Sequence, residues 1–178
     1  MQVVILTQKY KKYIIHSVFL QKNDYFYALL KIKQKNMNTK IVTFGEILLR
    51  LSKPGYQRLT QGHRMLGNYG GSEANTAISL AYLGNNVEYV SRLPYGAMGD
   101  AALMHLREYG LNVSHVVRGG ERLGTYYFEE AVAMRNSQVI YDRKNSAMYS
   151  LKRGMVEWDK VLGDAAVFHC SGITCAIS

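Results

Sequence analysis

The chain has 178 residues, with 22 Lys and Arg against 13 Asp and Glu, a formal net charge of +9. Apolar residues make up 48% and charged residues 20%, which excludes wholesale disorder, and no apolar run reaches the ~20 residues that a membrane-crossing helix needs. The length suits one domain with a single core, and the charge raises nucleic acid or an acidic surface as a partner to be weighed.

The charge is unevenly placed. Residues 1–36 hold seven Lys (9, 11, 12, 22, 31, 33 and 35) against one acid, Asp24, giving +6, while residues 37–178 hold 15 basic and 12 acidic residues, giving +3. All 16 Gly, both Pro and every Arg lie beyond position 36. The run Lys9-Tyr10-Lys11-Lys12-Tyr13 interleaves cations and rings, as segments that track phosphates and stack bases do. Lys11 and Lys12 before the apolar run 13–20 also suit the start of a targeting segment, but no small-residue cleavage site follows. The preferred reading is a basic leader over 1–36, non-native or disordered, ahead of a start at Met37. A nucleic-acid-binding arm is the weaker reading.

From Lys40 the pattern is that of an alternating α/β protein. Ile41 to Phe44 reads as a buried strand ending at Gly45-Glu46. Polar, glycine-punctuated sequence follows from Ser52 to Gly71, with strand-like fragments near 56–70. Ser72 to Leu83 reads as a helix, with Ser72 as N-cap, a stripe of Ala74, Ala77, Ile78 and Ala81, and Gly84 just past its end. Val87 to Val90 is the next strand, and Asp100 is placed as N-cap of a second helix reaching Tyr109. Thr125 to Glu130 and Gln138 to Tyr141 form a hairpin around Arg135-Asn136-Ser137, so 122–143 projects from the body. Met155 to Leu162 reads as a short helix and Ala165 to His169 as a buried strand, breaking at Ser171-Gly172. The sequence reaches Ser178 directly after that strand, an unusual place for an α/β domain to finish.

Several residues carry chemistry, each with a plainer reading beside it. Gly70-Gly71 opens onto the Ser72 helix, where free N–H groups can hold a polar or anionic ligand; a tight turn explains the glycines equally well. Asn75, a poor helix former one turn in, adds to the case for a site. Glu46 at a strand end can accept bonds from ligand hydroxyls, or be a solvated or paired carboxylate. Tyr126, Tyr141 and Arg143 on the hairpin suit hydroxyl and carboxylate recognition, or are ordinary strand and surface residues. Cys170 and Cys175 match neither a zinc knuckle nor a redox pair, and the five His show no ligand spacing. His169 beside Ser171 lacks an evident acid partner for a hydrolase triad. Gly96-Ala-Met-Gly99-Asp100 is explained by a glycine turn and an Asp cap.

Taken together, these pieces resemble the ribokinase-like (PfkB) carbohydrate kinases, and within them the 2-keto-3-deoxygluconate kinases. The matching segments are Ile41-Val-Thr-Phe-Gly-Glu46, Gly70-Gly-Ser-Glu-Ala-Asn75, Gly96-Ala-Met-Gly99-Asp100, Gly124-Thr-Tyr-Tyr127, Tyr141-Asp-Arg-Lys144 and Phe168-His-Cys-Ser-Gly-Ile-Thr174. The resemblance implies a three-layer α/β sandwich with a small β-lid, of which 37–178 is the N-terminal, substrate-side portion. It implies transfer of the ATP γ-phosphate, with Mg²⁺, to a sugar hydroxyl in a cytoplasmic enzyme without membrane contact, often homo-oligomeric through the lid. By position, Gly71, Ser72 and Asn75 would hold substrate hydroxyls, with Tyr126, Tyr141 and Arg143 closing from the lid and Arg143 near the acid group. Ile173 would line the floor, and Glu46 matches the acidic strand-end position.

The family carries its catalytic aspartate in a Gly-Ala-Gly-Asp turn of the C-terminal half, and no such turn occurs in this sequence. The aspartate is expected beyond Ser178, so no catalytic or metal-binding residue is assigned, and the chain by itself is expected to lack kinase activity. Its substrate is expected to be a small sugar acid, most simply 2-keto-3-deoxygluconate. The alternatives are a fructokinase- or ribokinase-like kinase of a neutral sugar, and a non-enzymatic α/β protein whose leader binds nucleic acid.

Overall fold

The computed structural model describes residues 3–7, 17–18 and 40–177. The main sheet has five strands: β1 (Val3–Thr7), β2 (Ser17–Val18), β3 (Lys40–Phe44), β6 (Asn86–Val90) and β11 (Ala165–Ser171). Their order is β2-β1-β11-β3-β6, with β11, β3 and β6 parallel and β1 antiparallel to β11. The second sheet, the lid, has order β10-β9-β4-β5, from β4 (Leu48–Ser52), β5 (Leu66–Gly70), β9 (Thr125–Glu129) and β10 (Gln138–Asp142). Two short strands, β7 (Arg92–Leu93) and β8 (Val117–Arg118), pair separately. The helices are α1 (Ser72–Tyr82), α2 (Ala97–Glu108), α3 (Trp158–Leu162) and α4 (Gly172–Ile177).

Alternation along β3 builds a core on each face of the main sheet. Ile41 enters a cluster with Ala74, Ala77 and Leu80 of α1 and Ala102 and Leu106 of α2. Val42 enters the opposite cluster with Val90, Val156 and Val161. Phe44, Trp158 and Phe168 close that second face, with the Trp158 ring edge-on to both phenylalanines at 5.0 and 5.7 Å. Helices on the two faces of a central sheet, with a separate small sheet, are the expected α/β sandwich and lid. Among the described residues no helix is long and apolar enough to cross a membrane.

The fold bears on four expectations. Within the segment expected as a leader, β1 is placed in the main sheet, with Val3 to Thr7 in register against Ser171 to Val167. The edge of β11 offers unpaired backbone groups, and Val3-Val-Ile-Leu-Thr7 is a β-branched run suited to pair with them. The Lys9–Tyr13 run and Met37 lie outside the described residues. In the lid, strands occupy 48–52 and 66–70, while 56–65 is turn, punctuated by Gly62, whose carbonyl accepts from Lys53 Nζ. Neither side-chain cap forms: Gly71 and Gly96 cap α1 and α2 through the backbone. Asp100 instead lies inside α2, paired with Arg118 at 2.6 Å. The helix expected from Met155 starts at Trp158, because Met155 N–H turns back to Lys152.

Candidate functional site

The site lies where the two sheets part. β3 passes through Gly45, Glu46 and Ile47 directly into β4, and β5 returns directly into α1. Gly71, at φ 154°, caps α1, and a Cβ there would strike the Glu46 carbonyl oxygen. Glycine alone allows the helix start to approach the strand end this closely. Between the lid face, the start of α1 and the end of β11 opens a cleft of about 330 Å³. Glu46, Gly71, Ser72, Asn75, Tyr126, Tyr141, Arg143 and Ile173, the eight positions singled out from sequence, all line it.

The lid reaches the cleft by two-residue alternation. Arg50 on β4, Tyr126 and Phe128 on β9, and Val139 and Tyr141 on β10 share the cleft-facing side. Register sets Arg50 beside Tyr126 and Tyr126 beside Tyr141, whose rings are 5.8 Å apart. Burial pushes the Tyr126 phenol above its ordinary range, with the Arg50 cation opposing, so the hydroxyl stays protonated and can donate. Arg143, just past β10, turns its Nε to Glu46 Oε2 at 2.9 Å, and Nη2 contacts the same oxygen. Glu46 is 5% exposed, and its Oε1 has no hydrogen-bond partner. The two residues expected to meet a ligand separately are thus joined to each other.

A buried acid organises the floor. Glu73, 3% exposed in the first turn of α1, accepts from the Ser171 N–H at 2.6 Å and the Thr174 hydroxyl at 2.8 Å. It also packs against Gly45, where a Cβ would collide with its carboxylate. The β11–α4 turn, the helix start and the end of β3 are thereby fastened at one point, and Ile173 lies between the two residues so held. Ser171 is buried, and its Oγ has no hydrogen-bond partner. Burial lowers the His169 pKa, with Glu73 opposing, and burial pushes the Cys170 thiol up to about 12, with Cys175 adding to the rise. Among the described residues no three His, Cys, Asp or Glu converge as a metal-binding group.

A family-wide sequence profile described as pfkB family carbohydrate kinase matches residues 38–178. The chain belongs to the pfkB family of carbohydrate kinases. It is 35% identical over 144 residues to the 2-dehydro-3-deoxygalactonokinase of Haloferax volcanii, covering 80% of this chain and 44% of that protein. The 2-dehydro-3-deoxygluconokinase of Bacillus subtilis is 30% identical over 143 residues, with the same two coverages, 80% and 44%. Among solved structures, the 2-dehydro-3-deoxygluconokinase of Thermotoga maritima superposes with a TM-score of 0.71 at 44% identity, over 72% of this chain and 39% of that one. The pfkB chain therefore spans less than half the length of the relatives it matches. Its ribokinase-like α/β fold with a lid agrees with these structures.

Sequence reasoning gives no role to Arg50, Phe128, Glu73 or Thr174 and weighs Ser171 only beside His169, although Glu73, Ser171 and Thr174 sit inside the quoted motifs. An acid among small residues in the first turn of α1 was the available signal for Glu73. Arg50 between Leu49 and Leu51 carried an equivalent one, a charge within an apolar run.

Proposed function

We propose that the cleft binds a sugar acid of the 2-keto-3-deoxygluconate type and that this chain supplies the sugar side of an ATP-dependent kinase. The observation that carries this reading is the convergence of two lid tyrosines, two arginines and the start of α1 on one cleft. Hydroxyl and amide groups suit the sugar's hydroxyls, and guanidinium suits its carboxylate. The similarity to a 2-dehydro-3-deoxygalactonokinase and a 2-dehydro-3-deoxygluconokinase supports the substrate class.

ATP, when bound in such kinases, supplies the phosphoryl group, and its transfer depends on positioning and on charge stabilisation at a helix start. The described residues do not fit Mg²⁺. Glu46 is engaged by Arg143 and Glu73 by Ser171 and Thr174, and no further acid lines the cleft. We assign this chain the tasks of binding and orienting the sugar acid, and no base for its hydroxyl. Calorimetric titration of the 178-residue protein with 2-keto-3-deoxygluconate and with fructose tests the reading, alongside an assay of ADP release. Binding of the acid without ADP release is expected. Binding of fructose alone would favour a neutral-sugar site, and sugar-dependent ADP release would overturn the division of tasks.

A further inference from the structure

The chain has two cysteines, Cys170 and Cys175, and their spacing is that of no redox motif. The fold brings them together by another route. β11 ends at Ser171 and α4 starts at Gly172, so Ser171 stands at the N-cap, with Cys170 just before it and Cys175 at the fourth helical position. Side chains at those two positions meet across a helix start, as in a hydrophobic staple. Here both are thiols, hydrogen-bonded to each other. Glu73 holds the turn between them, through the Ser171 N–H and the Thr174 hydroxyl.

The two sulfurs differ in access, since Cys170 is buried and Cys175 exposed. Burial pushes the Cys170 thiol up to about 12, so it stays protonated while an oxidant meets Cys175 first. With a peroxide as the oxidant, the electrons balance in two steps. The Cys175 sulfur attacks one peroxide oxygen, the O–O bond breaks, water departs and a sulfenic acid remains. The Cys170 sulfur then attacks the Cys175 sulfur and the S–S bond forms. The S–O bond breaks, and its hydroxyl leaves as water with the Cys170 proton. Two thiols are oxidised and one peroxide is reduced to two waters.

We infer that Cys170 and Cys175 form a reversible disulfide and that this bond resets the floor of the cleft. Ser171, Ile173 and Thr174 lie inside the ring it closes, and all three line the cleft. Sulfurs in hydrogen-bond contact must approach to about 2.0 Å to bond, so the turn tightens against the hold of Glu73. Nothing in this step depends on which sugar the cleft takes.

The test treats the reduced 178-residue protein with hydrogen peroxide. The protein is expected to lose the mass of two hydrogens and both maleimide-reactive thiols, without a cross-link between chains on a non-reducing gel. The bond should form faster in the folded protein than in urea. Amide resonances of Ile173 and Thr174 should shift on oxidation and return with dithiothreitol. Cys170→Ala should instead gain one oxygen, captured at Cys175 by dimedone, and Cys175→Ser should stay unmodified at the same peroxide concentration. Should Cys170→Ala fail to fold, the mass, the rate and the resonances of the unchanged protein decide. Oxygen added at Cys175 without loss of the two hydrogens, a link between chains, or closure no faster than in urea overturns the inference. So does a disulfide that dithiothreitol does not reverse, or one that leaves the Ile173 and Thr174 amides in place.

Discussion

Arg143 Nε lies 2.9 Å from Glu46 Oε2, a bond that ties the end of the lid hairpin to the end of the first parallel strand across 97 positions of sequence. The carboxylate is nearly fully buried, while the guanidinium keeps about a fifth of its surface exposed. The pair therefore has unequal halves. Arg143 can turn toward water if its partner is lost, whereas Glu46 has no comparable escape.

That inequality predicts the stability of single variants. Arg143→Gln should strand a buried carboxylate and cost about 3–5 kcal/mol. Glu46→Gln should cost clearly less, and the double variant should recover part of the Arg143→Gln loss. Urea unfolding of the three variants checks the order. Equal losses in both single variants would contradict it.

Glu73 predicts a different pattern, because it serves as an acceptor to two donors rather than as one half of an ion pair. Glu73→Gln keeps an acceptor oxygen and should cost about 1 kcal/mol, whereas Glu73→Ala leaves the Ser171 N–H unpaired beside a cavity and should cost about 2–4 kcal/mol. Hydrogen exchange at the Ser171 amide should accelerate in Glu73→Ala while amides of β3 and β6 keep their protection. Unchanged exchange at Ser171 would mean that the turn is held by other contacts.

His169 gives the fold a pH dependence with a definite sign. Burial lowers its pKa below the ordinary 6.5, with the Glu73 charge opposing. The unfolded chain thus takes up the proton more readily than the folded one. The stabilisation is full above the unfolded value and is lost as the pH falls through the folded one. Melting temperature should therefore fall as the pH drops below the ordinary value of 6.5, and His169→Gln should flatten that part of the curve relative to the unchanged protein. Parallel curves for the two would show that other groups carry the dependence.

The cores and the cleft differ in how far the sequence reveals them. β3, β6, β11 and α1 are legible because each is a local apolar pattern: Ile41–Phe44, Val87–Val90 and Ala165–His169 are short β-branched runs, and α1 alternates small residues on one stripe. β4 is not legible, because Leu48-Leu-Arg-Leu-Ser52 shows no clean alternation and its partners, β5 and β9, lie far along the chain. Ser72 and Asp100 are good capping residues that lose to Gly71 and Gly96, whose backbone geometry already turns the chain into each helix. The eight candidate residues converge on one cleft, yet the pairing of Glu46 with Arg143 and the hold of Glu73 on Ser171 are tertiary facts without a local signature. The role of β1 depends likewise on the free edge of β11, which no pattern within 1–36 announces.

The most direct test of the account is an amide chemical-shift map of the 178-residue protein with and without 2-keto-3-deoxygluconate. The account predicts shifts gathered on both walls of the cleft: Gly71, Ser72 and Asn75 at the helix start, Tyr126 and Tyr141 on the lid, and Ile173 on the floor. Saturating acid that moves none of these amides, or that moves only residues away from the cleft, would contradict it.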